Sequence, residues 1–492
     1  MSGSQISLAA ARWQPVFRAQ VTIRTILRLI GTVYFIAFTS FGVQALGLVG
    51  SHGILPFADY FKSARQELGR AAYWNLPAIL WLRPTDGALT AVWIAGAVLA
   101  LVAAAGIRQR TALAGCLVLW LSVCTVGQDF LSFQWDVLLS EAGFLALFAD
   151  DTPVRVFLFR WLIFRLMFFS GAVKLLSGDP AWRNLTALSY HYETQPLPTP
   201  MAWYVCQLPL WFQKASTLFV FAAELIVPFL FFARRPVRHV AAWITIALQV
   251  LILTTGNYTF FNLLTIILAL SLFIEWHSAA SPQAFSGQLS AISFRSVTNS
   301  PAGHRQPRPG RFHKLLSIAL ASFIGMVSGL LFLELFSIPV PTPGAAILRV
   351  VSPLRIVNSY GLFANMTTTR NEIVVEGSND GDTWLPYEFP YKPGDVWRAP
   401  PVVEPHQPRL DWQMWFAALG TYQENRWFVS FMLRLLQGEP SVLHLLRRNP
   451  FPHAPPKYVR ARLYLYRFTH FGQRGWWSRE ERGLYFPPVS LR

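Results

Sequence analysis

Long apolar runs recur along the chain, and they constrain its fold more than any other feature. A helix of about 20 apolar residues spans the hydrocarbon core of a bilayer. Runs of that length occupy residues 25–48, 88–106, 111–131, 155–176, 215–233, 237–255, 258–275 and 315–336. Charged residues make up only 14% of the chain, against about 25% in soluble domains. The sequence therefore predicts an α-helical polytopic membrane protein.

A shorter apolar run, residues 134–149, decides the number of crossings. The basic loops 106–110 and 233–239 should both be cytosolic, because short loops rich in Lys and Arg stay inside. An even number of crossings must separate two loops on the same side, and only inclusion of 134–149 gives an even number. We therefore expect about nine transmembrane helices, with the N-terminus inside and the C-terminus outside.

These assignments divide the chain into three parts. We predict a cytosolic N-terminal tail over 1–24, a transmembrane helical domain over 25–336 and a soluble α+β domain outside the membrane over 337–492. Within the membrane domain, the expected outer loops are 49–87 and 177–214, and the inner linker is 276–314. The first outer loop has amphipathic spacing, which is typical of a helix that lies along the membrane surface.

The C-terminal part combines strand and helix patterns. Residues 372–389 predict two strands around a turn rich in Gly, Asn and Asp, and residues 410–437 predict one helix with a wide apolar face. Residues 457–470 alternate apolar with basic and aromatic side chains, which predicts a strand. Exposed aromatic and Arg side chains are typical of protein-binding hot spots. We therefore expect a client protein to contact this domain, through Trp412, Trp415, Arg460, Arg462 and Tyr464.

Ionisable residues inside predicted spans are costly in lipid and are therefore either paired or functional. The spans 134–149 and 155–176 form a hairpin that turns near residues 150–151, which places Glu141 level with Arg160 and Arg165. One interpretation is an ion-pair network that fixes the packing of the helices, because a buried charge is tolerated only when it is paired.

The alternative interpretation is a polar cavity that opens outward. Asp136, Glu141 and Arg165 would lie inside it, Lys174 would lie at its mouth, and Glu224 of the next span would complete it. Burial readily lowers the pKa of a lysine, which is how a lysine becomes a general base.

The outer loop that follows Lys174 carries His191, Glu193 and Gln195 within the segment HYETQPLPTP. Its three prolines favour extended backbone, in which alternate side chains share one face. These residues are candidates for the outer wall of the cavity, with packing against the C-terminal domain as the alternative. No spacing around His191 supports a metal site, so we expect neither a metal nor a cofactor.

Asn184 and Asn365 each begin an N-x-[ST] triplet outside the membrane, and they are glycosylation acceptors if the source is eukaryotic.

The sequence has no G-x-S-x-G, H-E-x-x-H or P-loop motif. Its three cysteines include no C-x-x-C pair, so we do not expect thiol-disulfide chemistry by this protein itself. The net charge of +17 lies in loops and in the C-terminal third, which indicates membrane lipids rather than nucleic acid as partners.

Ordered motifs along nearly the whole chain resemble the lipase maturation factor family. They include HGILP (52–56), FQWDVLLSEAGFL (133–145), RWLIFRLMFFSGAVKLLSGDPAW (160–182), TALSYHYETQPLP (186–198), GNYTFFNLLT (256–265), NSYGLFANMT (358–367), VEGSNDGDTW (375–384) and PHQPRLDWQMWFAALGTY (405–422).

The resemblance implies a multi-pass membrane protein that helps secreted clients, homodimeric lipases in animals, to reach an active and assembled state. It implies the endoplasmic reticulum membrane for a eukaryotic protein and the inner (plasma) membrane for a bacterial one, with the C-terminal domain in the lumen or periplasm. The thiol chemistry linked to the animal factors is not carried over, because the region after Leu335 has no cysteine.

A shorter resemblance concerns SGAVKLLSGDPAW (170–182), followed by a span that contains Glu224. It is similar to the membrane part of vitamin K-dependent gamma-carboxylase, in which a lysine in a G-x-x-K-L context acts as the base. Lys174 occupies that position. This implies an alternative function, a membrane-embedded enzyme that acts on a lipid, a quinone-like molecule or a client side chain, with His191 and Glu193 near the base.

Overall fold

The computed structural model describes residues 21–275 and 311–491. Most of the predicted tail, 1–24, and of the predicted inner linker, 276–314, lies outside these residues. The described chain comprises a helical bundle, followed by a domain that combines helices with a small sheet.

Fifteen helices form the described part of the chain up to residue 335. They are α1 (Ile23–Gly42), α2 (Ala45–Val49), α3 (Phe57–Leu68), α4 (Ala72–Asn75), α5 (Asp86–Ala104), α6 (Gln109–Val126), α7 (Gln134–Phe148), α8 (Pro153–Leu176), α9 (Pro180–Arg183), α10 (Ala187–Thr194), α11 (Pro200–Cys206), α12 (Leu210–Phe221), α13 (Arg235–Thr255), α14 (Phe261–Leu270) and α15 (Arg311–Leu335). The helical path of α12 continues through a π-helical turn, Ala222–Ile226, and a 3₁₀ stretch, Val227–Phe232.

Seven of the described helices are long and apolar enough to cross a membrane: α1, α5, α6, α8, α12 with its continuation, α13 and α15. They confirm the prediction of a polytopic α-helical membrane protein. The other two predicted spans are short helices, since α7 has 15 residues and α14 with its 3₁₀ extension covers Phe261–Phe273. The expected number of about nine spans therefore corresponds to seven long helices and two short ones.

Small residues let α1 and α5 approach each other closely. A Cβ atom at Gly31 would lie 2.8 Å from the backbone nitrogen of Ala104, and Gly96 of α5 lies directly against the ring of Phe38. Lipid tails are as apolar as the side chains, so spans associate through close van der Waals packing rather than through the hydrophobic effect.

The outer segments are largely helical. Helix α3 buries Phe57, Phe61 and Ala64 and exposes most of its other positions, as the amphipathic spacing predicts. Segment 177–214 contains α9, α10 and α11, which corrects the expectation of an extended HYETQ segment. Backbone in the β region begins only at Gln195, the C-cap of α10, where the prolines start.

The C-terminal part begins with α16 (Thr342–Val351) and continues with β1 (Arg370–Ser378), β2 (Leu385–Pro386), α17 (Arg409–Ala417), α18 (Arg426–Gln437), α19 (Pro440–Leu443), β3 (Tyr458–Phe468) and β4 (Trp477–Val489). The strands form an antiparallel sheet with the order β2-β1-β3-β4. The predicted hairpin and the predicted third strand are confirmed as β1–β2 and β3.

Two features of this domain differ from the sequence prediction. The single helix expected over 410–437 is divided into α17 and α18, because turns that include Gly420 interrupt it. Strand β4 lies at the sheet edge and contains Gly483, Pro487 and Pro488. The sequence of β4 does not clearly predict a strand, because glycine and proline disfavour strand interiors and occur mainly at the edges and bulges of sheets.

Buried polar contacts join the C-terminal domain to the helical bundle. The guanidinium of Arg409 donates to both carboxylate oxygens of Asp136 on α7, at 3.0 and 2.9 Å. The backbone nitrogen of Arg409 donates to Gln44 Oε1 at 2.9 Å, and Trp135 Nε1 donates to Gln407 Oε1 at 2.8 Å. Helix α17 is therefore fixed against the end of the bundle.

The α1–α7 contact provides a test of this packing. A Cβ at Gly143 would collide with the Tyr34 hydroxyl, which donates to the Leu139 carbonyl at 3.0 Å. We expect Gly143→Ala to lower the stability by about 1–3 kcal/mol through overpacking, measured by thermal unfolding of the full chain in detergent. Gly325→Ala on α15, where a Cβ meets nothing within 4 Å, is the matched control and should not destabilise the protein. Equal stability of the two variants would contradict the α1–α7 contact.

Candidate functional site

A cavity of about 430 Å³ lies among α8, α10, α12 and α13. Most of its lining side chains are aliphatic or aromatic, and the polar ones include Lys174, His191, Glu224, Gln249 and Tyr258. Ligand pockets in proteins have about 300–1,000 Å³ and a mostly apolar lining with a few polar groups. The cavity is therefore the candidate functional site.

Lys174 is the cation of this cavity, and it is buried near the end of α8. Its Nζ donates to Glu224 Oε2 at 2.7 Å and to the Ser170 carbonyl at 3.0 Å. It also lies 5.3 Å from the centroid of the Trp182 ring, within the range of a cation–π interaction. The pair compensates both charges inside the bundle.

Glu224 reaches Lys174 from an irregular part of its span. It lies in the π-helical turn Ala222–Ile226, four residues before Pro228, which cannot donate a helical hydrogen bond. Such π-helical turns occur frequently at functional sites.

His191, on α10, also lines the cavity. Its Nε2 is 3.1 Å from the hydroxyl of Tyr258, which donates its proton to Gln195 Oε1 at 2.9 Å. Residues 191 and 195 are four apart, so the end of α10 places both beside Tyr258. Burial and the nearby charge of Lys174 lower the pKa of His191 to about 4. His191 is therefore neutral at physiological pH.

Glu193 does not line the cavity. On a helix, positions 191 and 193 point in different directions, and Glu193 Oε2 accepts a hydrogen bond from the backbone nitrogen of Phe468 at 2.6 Å. The Arg370 guanidinium donates to the carbonyl of Glu193 at 2.7 Å and to that of Pro196 at 2.9 Å. The second half of the HYETQ segment thus packs against the sheet, which is the alternative that the sequence left open.

Glu141 and Arg165 form a sealed ion pair outside the cavity lining. The second oxygen of Glu141 accepts from the Asn358 backbone nitrogen at 2.9 Å and from the Tyr360 hydroxyl at 2.7 Å. Arg165 Nη1 donates to the Asn358 carbonyl at 2.9 Å. Two span residues and two residues of the NSYG motif therefore form one buried cluster.

A hydrogen bond of Arg160 leads to a different part of the bundle. Its Nη2 donates to the Ile274 carbonyl at 2.7 Å, at the end of the α14 extension. Asp136 bonds Arg409 and, like Glu141, does not line the cavity. These positions correct the expectation of a single polar cavity, of which only Lys174, Glu224 and His191 are brought together.

The candidate client-binding residues also separate. Trp412 and Trp415 are buried. Trp415 Nε1 donates to the Thr194 carbonyl at 2.8 Å, and the Trp412 ring packs 4.9 Å from that of Trp135. Both belong to the contact between the domains, which corrects the expectation that they bind a client.

Arg460, Arg462 and Tyr464 of β3 are only partly buried. Arg460 bonds Glu376 Oε2 at 2.7 Å and lies 3.9 Å from the centroid of the Trp384 ring. These three residues, with Glu376 and Trp384, are called the outer sheet face below.

The remaining predictions concern glycosylation and metal binding. Asn184 and Asn365 are both exposed. Within residues 21–275 and 311–491, no group of three or more His, Cys, Asp or Glu could hold a metal.

Several residues of these sites carry weak sequence signals. Tyr258 and Tyr360 lie in the motifs GNYT and NSYG, yet nothing in the sequence pairs them with His191 and Glu141. Gln249 lies in a predicted span, but it is uncharged and therefore does not stand out as the ionisable residues of the spans do. Arg409 lies about 270 residues from its partner Asp136, a separation that no local pattern bridges.

The comparisons with known proteins cover both parts of the chain. The model of the lipase maturation factor transmembrane domain matches residues 21–279, and that of the lipase maturation factor C-terminal domain matches residues 356–487. Human lipase maturation factor 2 is 38% identical over 94% of this chain and 82% of its own length. Bovine lipase maturation factor 1 is 34% identical over 94% of this chain and 88% of its own length.

The chain belongs to the lipase maturation factor family. No solved structure matches it. The two family domains meet at the buried clusters described above, because Asp136 and Glu141 lie in the transmembrane domain, whereas Tyr360 and Arg409 lie in the C-terminal domain.

The Glu141 cluster should be a main determinant of the stability of this protein. Arg165→Met leaves a buried carboxylate without its counter-charge, which costs about 3–5 kcal/mol. Glu141→Gln added to Arg165→Met should recover part of that loss. The measurement is the fraction of monodisperse full-length protein that remains after heating in detergent.

The control for this prediction is an exposed ion pair. Arg482 and Glu480 lie 3.4 Å apart with side chains 45% and 66% exposed, and such pairs contribute at most about 1 kcal/mol. Arg482→Met should therefore behave like the parent protein. An Arg165→Met variant as stable as Arg482→Met would contradict a structural role of the cluster.

Proposed function

We propose that this protein is a membrane-anchored maturation factor that assists the folding or assembly of secreted client proteins, with lipases as the expected class. The proposal is supported by the similarity to lipase maturation factors over both domains. The geometry adds that the Asp136–Arg409 ion pair and the hydrogen bonds of Asn358 and Tyr360 to Glu141 hold the C-terminal domain against the membrane bundle. A bound client would therefore be kept beside the membrane.

The outer sheet face is the proposed contact with the client. Arg462 bonds Glu481 of β4, and Arg479 lies 5.0 Å from the centroid of the Tyr464 ring. Arginine and aromatic side chains that hold one another in place lose little conformational entropy on binding, and this composition is typical of interface hot spots. The same domain exposes the aromatic side chains of Trp397 (63%) and Phe471 (66%).

The proposed orientation follows from charge. The basic loops 106–110 and 233–239 favour a cytosolic position, which places the N-terminus in the cytosol and the C-terminal domain outside. In a eukaryote that compartment is the lumen of the endoplasmic reticulum, and in a bacterium it is the periplasm beside the inner membrane.

The client contact is tested by changing the outer sheet face in cells that lack their own maturation factor. Arg462→Glu combined with Tyr464→Ala should reduce the specific activity of a co-expressed secreted homodimeric lipase. Loss of a hot-spot contact costs about 2 kcal/mol, which is about 30-fold in affinity. The measurement is lipase activity per mass of secreted lipase.

Two controls make this test specific. Arg426→Glu changes the charge of an exposed arginine on α18 and should leave lipase maturation unchanged. A chain without residues 345–492 should give no maturation. Full maturation by that truncated chain would overturn the proposed role of the C-terminal domain.

A second function, the membrane-embedded enzyme, is favoured by one observation: Lys174 and His191 line the same cavity. In that function Lys174 is the base, and the substrate is a lipid, a quinone-like molecule or a client side chain. The ion pair of Lys174 with Glu224 at 2.7 Å favours a positioned cation instead, because a base needs a free lone pair.

Lys174→Arg separates the two functions. Arginine keeps the charge and the pairing with Glu224, but it cannot act as a general base. The maturation-factor function predicts that the variant supports lipase maturation at the level of the parent protein, measured as lipase activity per mass of secreted lipase. Loss of maturation at normal abundance and thermal stability of the variant would favour the enzyme.

A further inference from the structure

The cavity at Lys174 opens toward the side of the bundle rather than toward its end. Its exposed lining residues include Ala215 and Phe219 of α12 and Leu251 of α13, and both helices are long and apolar enough to cross a membrane. Exposed apolar side chains on such helices face lipid tails. The opening between α12 and α13 therefore leads into the region of the acyl chains.

The inner part of the cavity is polar but carries no net charge. Lys174 and Glu224 compensate each other at 2.7 Å, and His191 is neutral because burial and Lys174 lower its pKa to about 4. An anionic head would compete with Glu224 for Lys174, and a cationic head would compete with Lys174 for Glu224. Both exchanges leave one buried charge unpaired, which is costly. The charges therefore select an uncharged ligand.

The polar part of the cavity also contains hydrogen-bond acceptors that receive no hydrogen bond from the described residues. Gln249 is 3% exposed, and its Oε1 has no hydrogen-bond partner anywhere in residues 21–275 and 311–491. The hydroxyl proton of Tyr258 goes to Gln195, so the contact with Tyr258 requires His191 to donate from Nε2. A neutral histidine with a proton on Nε2 has a lone pair on Nδ1. A ligand that donates hydrogen bonds, as a hydroxyl group does, satisfies these acceptors.

We propose that this cavity binds an uncharged membrane lipid with a hydroxyl-bearing head, whose acyl chain leaves the cavity between α12 and α13. The head lies beside Gln249 and His191, and the chain follows the apolar wall that includes Phe219 and Leu251. The volume of about 430 Å³ lies within the range of single-ligand pockets. This site depends neither on client binding nor on chemistry at Lys174.

The test uses the full-length chain in phosphatidylcholine nanodiscs that contain a photoactivatable 1-monoacylglycerol with a diazirine in its acyl chain. Cross-linked peptides are mapped by mass spectrometry. The proposal predicts labelling of peptides from α12 and α13, competition by excess unlabelled 1-monooleoylglycerol and no competition by oleate.

Two variants locate the head and the chain. Gln249→Leu removes one hydrogen-bond acceptor and should reduce labelling about fivefold, the effect of about 1 kcal/mol. Ala215→Trp places a bulky ring at the cavity opening and should abolish labelling. Leu218→Trp is the matched control, because Leu218 is 58% exposed on the same helix but does not line the cavity.

Each alternative outcome overturns the proposal. Labelling spread evenly over the lipid-facing helices and unchanged in Ala215→Trp means that the cavity holds water and no lipid. Equal competition by oleate means that the site does not select an uncharged head. Both variants are compared with the parent protein in thermal unfolding, so that a loss of labelling is interpreted only for folded protein.

Discussion

Two buried ion pairs hold this structure together, and each places a carboxylate of the short helix α7 opposite an arginine. Asp136 meets Arg409 of the C-terminal domain, and Glu141 meets Arg165 of α8 while it also accepts hydrogen bonds from the C-terminal domain. A charge inside a bundle is tolerated only when it is paired and hydrogen-bonded. Separation of the two domains would therefore remove the charge partners of Asp136 and Arg409 and the hydrogen bonds that Glu141 accepts from the C-terminal domain.

The intramembrane charges have two separate roles. The charges of α7 join the two domains, whereas Lys174 and Glu224 form an independent pair at the cavity. The same reasoning explains why Trp412 and Trp415 are buried. They belong to the helix that Arg409 begins, and this helix lies against the bundle, so neither ring is accessible to a client.

The two proposed activities therefore use different surfaces. Client binding would use the side of the sheet that carries Arg460 and Arg462, which lies outside the membrane in the proposed orientation. Lipid binding would use the opening between α12 and α13, at the level of the acyl chains. Because the two surfaces share no residue, a substitution can disrupt client binding without affecting lipid binding, and the reverse.

The sequence by itself determined the membrane spans, the hairpin of β1 and β2, the strand β3 and the family, because periodicity and ordered motifs are local properties of the chain. It also identified the charged residues of the spans. Only the tertiary structure decided their partners. Arg409 pairs with Asp136 about 270 residues away, and α10 turns His191 toward Tyr258 but Glu193 away from it. Which charge meets which depends on how distant helices pack, and no local pattern encodes that contact.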